Sequence, residues 1–273
     1  MFGEDEIKHL RTVYNSEHSK EAPIPDGTAE EIWKRLQDRF HSKCISGRTE
    51  CIISHMLNRP KAPDAWITNP TDWLSSIDIE RAEKAYEKLF KNYVFLGCLP
   101  IDFDLKSKTG QCLVDALCSI DIKSLYRKGK SQIGIVFNTD VHTGPGQHWI
   151  ALFCDIRPEL EQPRITYFDS YSRKPEKSIQ KLMKRWKDSW ETTNVHDKPM
   201  LTTYNKTRHQ FKDSECGIYS LYFHYSCLNE IPMDHKIPDD VIHVFRRLLF
   251  KEDDIPDDNN MNVFRRLLFK KDK

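Results

Sequence analysis

The sequence predicts a mixed α+β fold: a central mixed sheet flanked by helices, with a helical arm at the N-terminus. Three observations carry that expectation. Apolar residues in the first third recur at spacings of three and four, the period of a helix face. Residues 133–170 contain three short runs rich in β-branched and aromatic residues, as strands require. Helical periodicity then returns, so strands are followed by helices in the manner of an α+β core.

In chain order, Thr28-Ala-Glu-Glu31 is a capping box, and Ile32, Trp33, Leu36 and Phe40 follow it on one helical face. A second helix is expected through DIERAEKAYEKLFKNY, where Ile79, Ala82, Tyr86, Leu89 and Tyr93 repeat in the same way. Between them NRPKAPDAWITNPTD carries three prolines that break any regular element, which places a boundary near residue 60. The expected organisation is a helical arm at 1–60, a core at 61–252 and a tail at 253–273. Within the core, IGIVF (133–137) and HWIALFCDI (148–156) read as strands buried on both faces. The loop RPELEQP leads to a third strand, RITYFDS. SRKPEKSIQKLMKRWKDSW then restores a helical stripe of Ile179, Leu182, Met183, Trp186 and Trp190, with Pro175 suited to its first turn. In the tail, VFRRLLFK at 244–251 returns unchanged at 263–270. Two copies are too few for a solenoid, so one is expected to pack on the core and the other to be appended.

Composition narrows the classes of function. Lys plus Arg number 42 against 41 Asp plus Glu, which leaves no electrostatic case for nucleic acid or an anionic membrane. A protein or peptide partner is the better expectation. The N-terminus lacks the apolar core of a signal peptide, and no stretch approaches the roughly 18 apolar residues of a membrane span. A soluble, intracellular, monomeric chain is expected. Its eight cysteines show neither the dense spacing of a secreted disulfide scaffold nor a CxxC pair, and read as reduced thiols that mostly pack.

One cysteine stands apart. In QFKDSECGIYS (210–220), Cys216 precedes Ile218, Leu221, Tyr222, Tyr225 and Leu228 on one helical stripe, so it heads a buried helix. The unpaired amides and macrodipole there favour the nucleophilic thiolate, and Gly217 allows a close backbone approach. Among 11 histidines, His148 sits where the glycine-rich VHTGPGQHW loop enters a buried strand, which makes its imidazole both fixed and reachable. His55, His196, His224, His235 and His243 read as surface or core histidines. Asp169 ends the following strand. If the two strands pair antiparallel, His148 and Asp169 meet at one end of the hairpin, where a carboxylate would set the tautomer. Gln210 offers a side-chain amide to an oxyanion, a contribution worth roughly 3 kcal/mol in other enzymes. Each residue alone has an ordinary reading: a small buried cysteine, a turn aspartate, a polar loop glutamine. Asp213 and Glu215 oppose a thiolate unless they cap the helix or face solvent.

Their order, His, Asp, Gln, Cys-Gly, is neither that of papain-like enzymes nor that of transglutaminases. NTDVHTGPGQHWIALFCDI, then YFDS 19 residues after the histidine, then QFKDSECGIYS, resemble the ubiquitin-like-protein protease superfamily of cysteine proteases. That superfamily includes SUMO proteases and the adenovirus endopeptidase; the wording is most similar to its viral polyprotein-processing branch of the African swine fever virus kind. WLSSIDI (73–79) matches the stretch that opens the protease core, and the resemblance covers about residues 73–250.

The resemblance implies a papain-like-type cysteine protease core. It implies His148 as general base, Cys216 as nucleophile, Asp169 as orienting acid and Gln210 as oxyanion donor. Asp169 is the acid general to the superfamily, where the swine fever branch carries an amide. Trp149 and Trp73 would line a tunnel that admits only Gly-Gly before the scissile bond, with core packing an equal reading for Trp73. The implied activity is a thiol endopeptidase that matures structural polyproteins of a large DNA virus. The same site would also suit removal of ubiquitin-like modifiers, or, in an inactive relative, binding of a Gly-Gly tail. No metal or cofactor is implied. Host cytoplasm and virion are the expected compartments.

Overall fold

The computed structural model describes residues 3–18, 20–41, 52, 60–69 and 71–250. The chain divides into two compact units, Met1–Ala62 with Val244–Lys273, and Pro63–His243. The tail at 253–273, with the second copy of the repeat, lies outside the described residues.

In the first unit, α1 (Glu4–Glu17) precedes α2 (Ala29–Phe40). The capping box of α2 forms as the sequence predicts: Glu31 N donates to Thr28 Oγ1 at 3.3 Å, and Thr28 N donates to Glu31 Oε2 at 2.9 Å. Ile32, Leu36 and Phe40 are buried, while Trp33 is only partly so. Asn15 ties α1 to the intervening loop, accepting from Ile24 N at 2.7 Å and donating to Ile24 O at 3.0 Å.

The second unit holds a short 3-10 helix (Asp64–Ile67) within the proline-rich segment, then α3 (Ser76–Leu89), β1 (Tyr93–Pro100), α4 (Asp115–Ser119), α5 (Ile122–Arg127) and β2 (Gln132–Asn138). It continues with β3 (Trp149–Asp155), β4 (Arg164–Phe168), α6 (Lys177–Trp190), β5 (Leu201–Tyr204) and α7 (Cys216–Leu228); α8 is Asp239–Leu249. The sheet runs β1-β2-β3-β4-β5. Its outer pairs, β1/β2 and β4/β5, are parallel and its inner pairs antiparallel, so the sheet is mixed as expected. Every residue of β3 and all of β2 but Asn138 are buried, which explains their unbroken apolar runs. One face of the sheet, through Ile133, Ile135, Ile150, Leu152 and Cys154, shares a core with Ile179, Leu182, Met183, Trp186 and Trp190 of α6. On the other, Phe223 of α7 stacks on Phe168 at 4.8 Å between ring centroids.

Four expectations need correction. The helix through residue 93 ends at Leu89, which is exposed, and Tyr93 opens β1 instead. There its ring is fully buried and its hydroxyl donates to Glu83 Oε2 at 2.7 Å, a partner that helical periodicity could not reveal. The edge strands β1 and β5 were not anticipated: the apolar run YVFLGCLP of β1 adjoins the helical stripe that was read through Tyr93, and LTTY of β5 is short and partly polar. Pro175 lies just before the N-cap residue Glu176, outside the first turn of α6. Cys112 and Cys118 are joined in a disulfide rather than reduced. The chain doubles back through the Lys106–Cys112 bridge, and the Cα atoms of the pair come within 6.5 Å, which bare spacing does not disclose.

Candidate active site

The β3–β4 ladder pairs Ala151 with Phe168, so His148, just before β3, and Asp169, just after β4, fall at the same end of the hairpin. They meet there, His148 Nε2 lying 2.8 Å from Asp169 Oδ1 with both side chains buried. The same Oδ1 accepts from Tyr171 N at 2.8 Å. Asn205 grips the aspartate backbone, accepting from Asp169 N at 2.9 Å and donating to Asp169 O at 2.7 Å. The carboxylate is therefore held in place before it holds the imidazole.

Cys216 is the first residue of α7, and it is buried. It stands close enough to His148 to raise the pKa of the imidazole. Since Nε2 is engaged by Asp169, the ring nitrogen left for sulfur is Nδ1. Burial, the largest single influence on the imidazole, opposes its charge. Hydrogen bonds and charge from Asp169 and Cys216 outweigh it and raise the pKa from 6.5 to about 9. His148 accordingly carries its proton at neutral pH, against the sulfur. At Cys98, Cys154 and Cys227 burial pushes the thiol up and keeps it neutral.

Gln210 is fully buried in the segment leading to Cys216. Ser170 Oγ donates to its Oε1 at 2.6 Å and its Nε2 donates to Lys212 O at 2.5 Å, which orients the amide. His209 N and Gln210 N both donate to Ser170 O, stapling this segment to the end of β4 beside Asp169. Of the two acids in QFKDSECGIYS, Asp213 is exposed. Glu215 is buried at the N-cap position without capping the helix, and its Oε1 lies 3.3 Å from His243 Nδ1.

Trp149 is buried and its Nε1 donates to Leu74 O at 2.9 Å. Both residues press on Gly217: a Cβ there would stand 3.2 Å from Leu74 Cβ and 3.3 Å from Trp149 Cδ1. The helix carrying Cys216 thus approaches as closely as glycine allows. Trp73, adjacent to Leu74, is 45% exposed and is not a core residue.

Leu74, Asn205, Ser170 and Tyr171 escaped sequence reasoning. Tyr171 lies against the imidazole with ring centroids 4.9 Å apart, and its hydroxyl donates to Lys212 O at 3.3 Å. Only the contact of Asn205 with Asp169, 36 residues apart, distinguishes that asparagine from an ordinary turn residue.

A cysteine that acts on a histidine, a carboxylate hydrogen-bonded to that histidine and an oriented amide in the segment leading to the cysteine suit acyl transfer through a covalent thioester. Comparison with known proteins agrees. Residues 128–260 match the Ulp1 protease family, C-terminal catalytic domain. Over 217 residues the chain is 32% identical to a thiol protease of Acanthamoeba polyphaga mimivirus, covering 75% of this chain and 67% of that protein. Over 122 residues it is 34% identical to a cysteine protease of African swine fever virus, covering 43% of each, less than half the length of that relative. A crystal structure of the swine fever protease shares the fold, with a TM-score of 0.59 at 19% identity over 91% of this chain and 90% of that one. The chain belongs to the Ulp1 family of cysteine proteases and is a thiol protease of the SUMO-protease-like, viral type.

Proposed function

We propose that the enzyme is an endopeptidase that cleaves after Gly-Gly and processes viral structural polyproteins. The observation that carries the Gly-Gly reading is the packing of Trp149 and Leu74 on Gly217, beside the nucleophile, where a single added carbon is already crowded. Trp73, exposed next to Leu74, supplies the second indole of the slot. Specificity then comes from sterics, since two indole faces exclude any side chain on the acyl side.

In this reading the proton of Cys216 already resides on His148, and the sulfur attacks the carbonyl carbon. The oxyanion is received by Gln210 Nε2–H and the Cys216 backbone N–H. Collapse breaks the C–N bond, and His148 delivers its proton to the leaving amine. Water, deprotonated by His148, then hydrolyses the thioester. Asp169 holds the imidazole in register throughout. Replacing Cys216 or His148 is expected to lower kcat by several orders of magnitude with little effect on folding, and Gln210→Ala by about 10²–10³.

The name SUMO-1 cysteine protease carried by a swine fever virus relative, 33% identical over 122 residues, favours a second reading: release of ubiquitin-like modifiers. One panel separates the two. Gly-Gly-X peptides and polyprotein segments are incubated beside SUMO-type precursors, with a Gly-Gly vinyl sulfone reporting on Cys216. Efficient release of mature SUMO overturns the polyprotein reading; no labelling of Cys216 under reducing conditions leaves only a Gly-Gly-tail binder. We place the enzyme, as a monomer, in the host cytoplasm and virion, because its nucleophile must stay reduced. Thiol titration of protein taken from cytoplasm tests that placement, with Cys216 expected free; recovery of Cys216 oxidised while Cys112 and Cys118 remain joined would overturn it.

A further inference from the structure

Beside His148 the surface carries an unbroken ladder of cations and rings. Arg173 sits 5.1 Å from the centre of the Tyr171 ring, and Arg208 lies between Tyr171 at 5.2 Å and Phe211 at 4.8 Å. Lys236 closes the series, 3.9 Å from the Phe211 centroid. Phe211 is 55% exposed, and all three cations are exposed. Among the described residues none of the three forms an ion pair; Arg208 Nε donates only to Gln210 O, at 2.9 Å. Of the nearby acids, Asp239 accepts from Phe211 N and the Tyr219 hydroxyl, and Asp213 is exposed and acts on the Tyr171 phenol; among the described residues neither forms an ion pair with the three cations. The rings hold the cations in one orientation, so little side-chain entropy remains to be lost when an anion docks.

We propose that Tyr171, Arg173, Arg208, Phe211 and Lys236 form a leaving-side subsite that selects substrates with acidic residues after the cleaved bond. The proposal rests on the endopeptidase reading above. His148 must protonate the departing amine, so the substrate chain beyond the scissile bond leaves along the histidine's flank. Tyr171 stands on that flank, and Phe211 follows Gln210, the residue assigned to the oxyanion. Trp149, Leu74 and Trp73 serve the opposite, acyl side. An acidic peptide suits the ladder better than single-stranded nucleic acid, because cations already cover the ring faces on which bases would stack.

The experiment uses the full chain and two readouts. In the first, Gly-Gly peptides carrying Asp-Glu or Ala-Ala after the scissile bond are compared by kcat/KM. The wild-type ratio is expected at about fivefold in favour of the acidic peptide at low salt, and to fall as salt rises. In the triple variant Arg173→Gln, Arg208→Gln, Lys236→Gln that ratio is expected near one. In the second, Cys216→Ser protein is titrated with the acidic and neutral leaving-side peptides alone and with a single-stranded oligonucleotide. Preferential binding of the acidic peptide, lost in the triple variant, supports the subsite even if neither peptide is cleaved, in which case the Gly-Gly reading alone fails. Cleavage of both peptides at equal rates, a preference that survives the triple change, or tight binding of the oligonucleotide but not the acidic peptide overturns it.

Discussion

Exchange of Asp169 for asparagine isolates the charge behind the histidine. The two side chains share a shape, so Oδ1 can still accept from Tyr171 N and from His148 Nε2–H, each at 2.8 Å, and the fold is expected to survive. What disappears is the negative charge. The rise of the His148 pKa from 6.5 to about 9 corresponds to about 3 kcal/mol of preference for the imidazolium. Burial works against that preference, and the Asp169 hydrogen bond is the largest influence that restores it, followed by that of Cys216. Without the charge, the imidazole is expected to return to about pH 7 or below. Because the imidazolium protonates the leaving amine, kcat/KM falls as pH rises through its pKa. The alkaline limb should therefore move from about 9 in the wild type to about 7 in the variant. At about pH 8.5 this is a loss of about 25-fold from protonation alone. The assay is kcat/KM on a Gly-Gly peptide from about pH 5.5 to 10, with circular dichroism as the control for folding. An alkaline limb that stays near 9 in the variant would refute the reasoning. The sign for stability follows from the same raised pKa. The contribution is complete below pH 6.5 and fades as pH climbs to about 9. Urea melts should show the wild type losing up to about 3 kcal/mol relative to Asp169→Asn across that window.

Other predictions concern the frame around the site. Gly217→Ala brings a Cβ to 3.2–3.4 Å from Leu74 and Trp149; overpacking of about 1–3 kcal/mol outweighs a helix-propensity gain of about 1 kcal/mol or less, so denaturant melts should show net destabilisation with lower peptide turnover. Glu83→Ala removes the partner of His224, 2.7 Å away, and of the Tyr93 hydroxyl, in a fully buried cluster. A loss of about 3 kcal/mol or more is expected, and a double-mutant cycle with His224→Ala should show strong non-additivity. Trp73→Ala touches an exposed side chain and should change stability by less than about 0.5 kcal/mol while raising KM for Gly-Gly peptides; unchanged kinetics would remove Trp73 from the slot. Thr28→Ala abolishes the capping box of α2 and should cost about 1 kcal/mol in the same melts.

The amino-acid sequence alone determined the interior strands, the amphipathic helices α2 and α6, and the order of His148, Asp169, Gln210 and Cys216. Periodicity and capping depend on residues within a turn or two, and an antiparallel hairpin with a short loop brings its two ends together by chain geometry. The bond of His148 to Asp169 follows from that geometry. Tertiary structure decided the remainder. The edge strands β1 and β5 acquire their state by pairing with neighbours already in the sheet, so a helical stripe read through Tyr93 was cut short at Leu89. Trp149 finds Leu74 across 75 positions, His224 finds Glu83 across 141, and Asn205 finds Asp169 across 36. No local rule encodes such pairs. They exist because the sheet and α7 bring distant segments into a dry interior, where polar groups must find partners and where Gly217 lets α7 approach Leu74 and Trp149 closely.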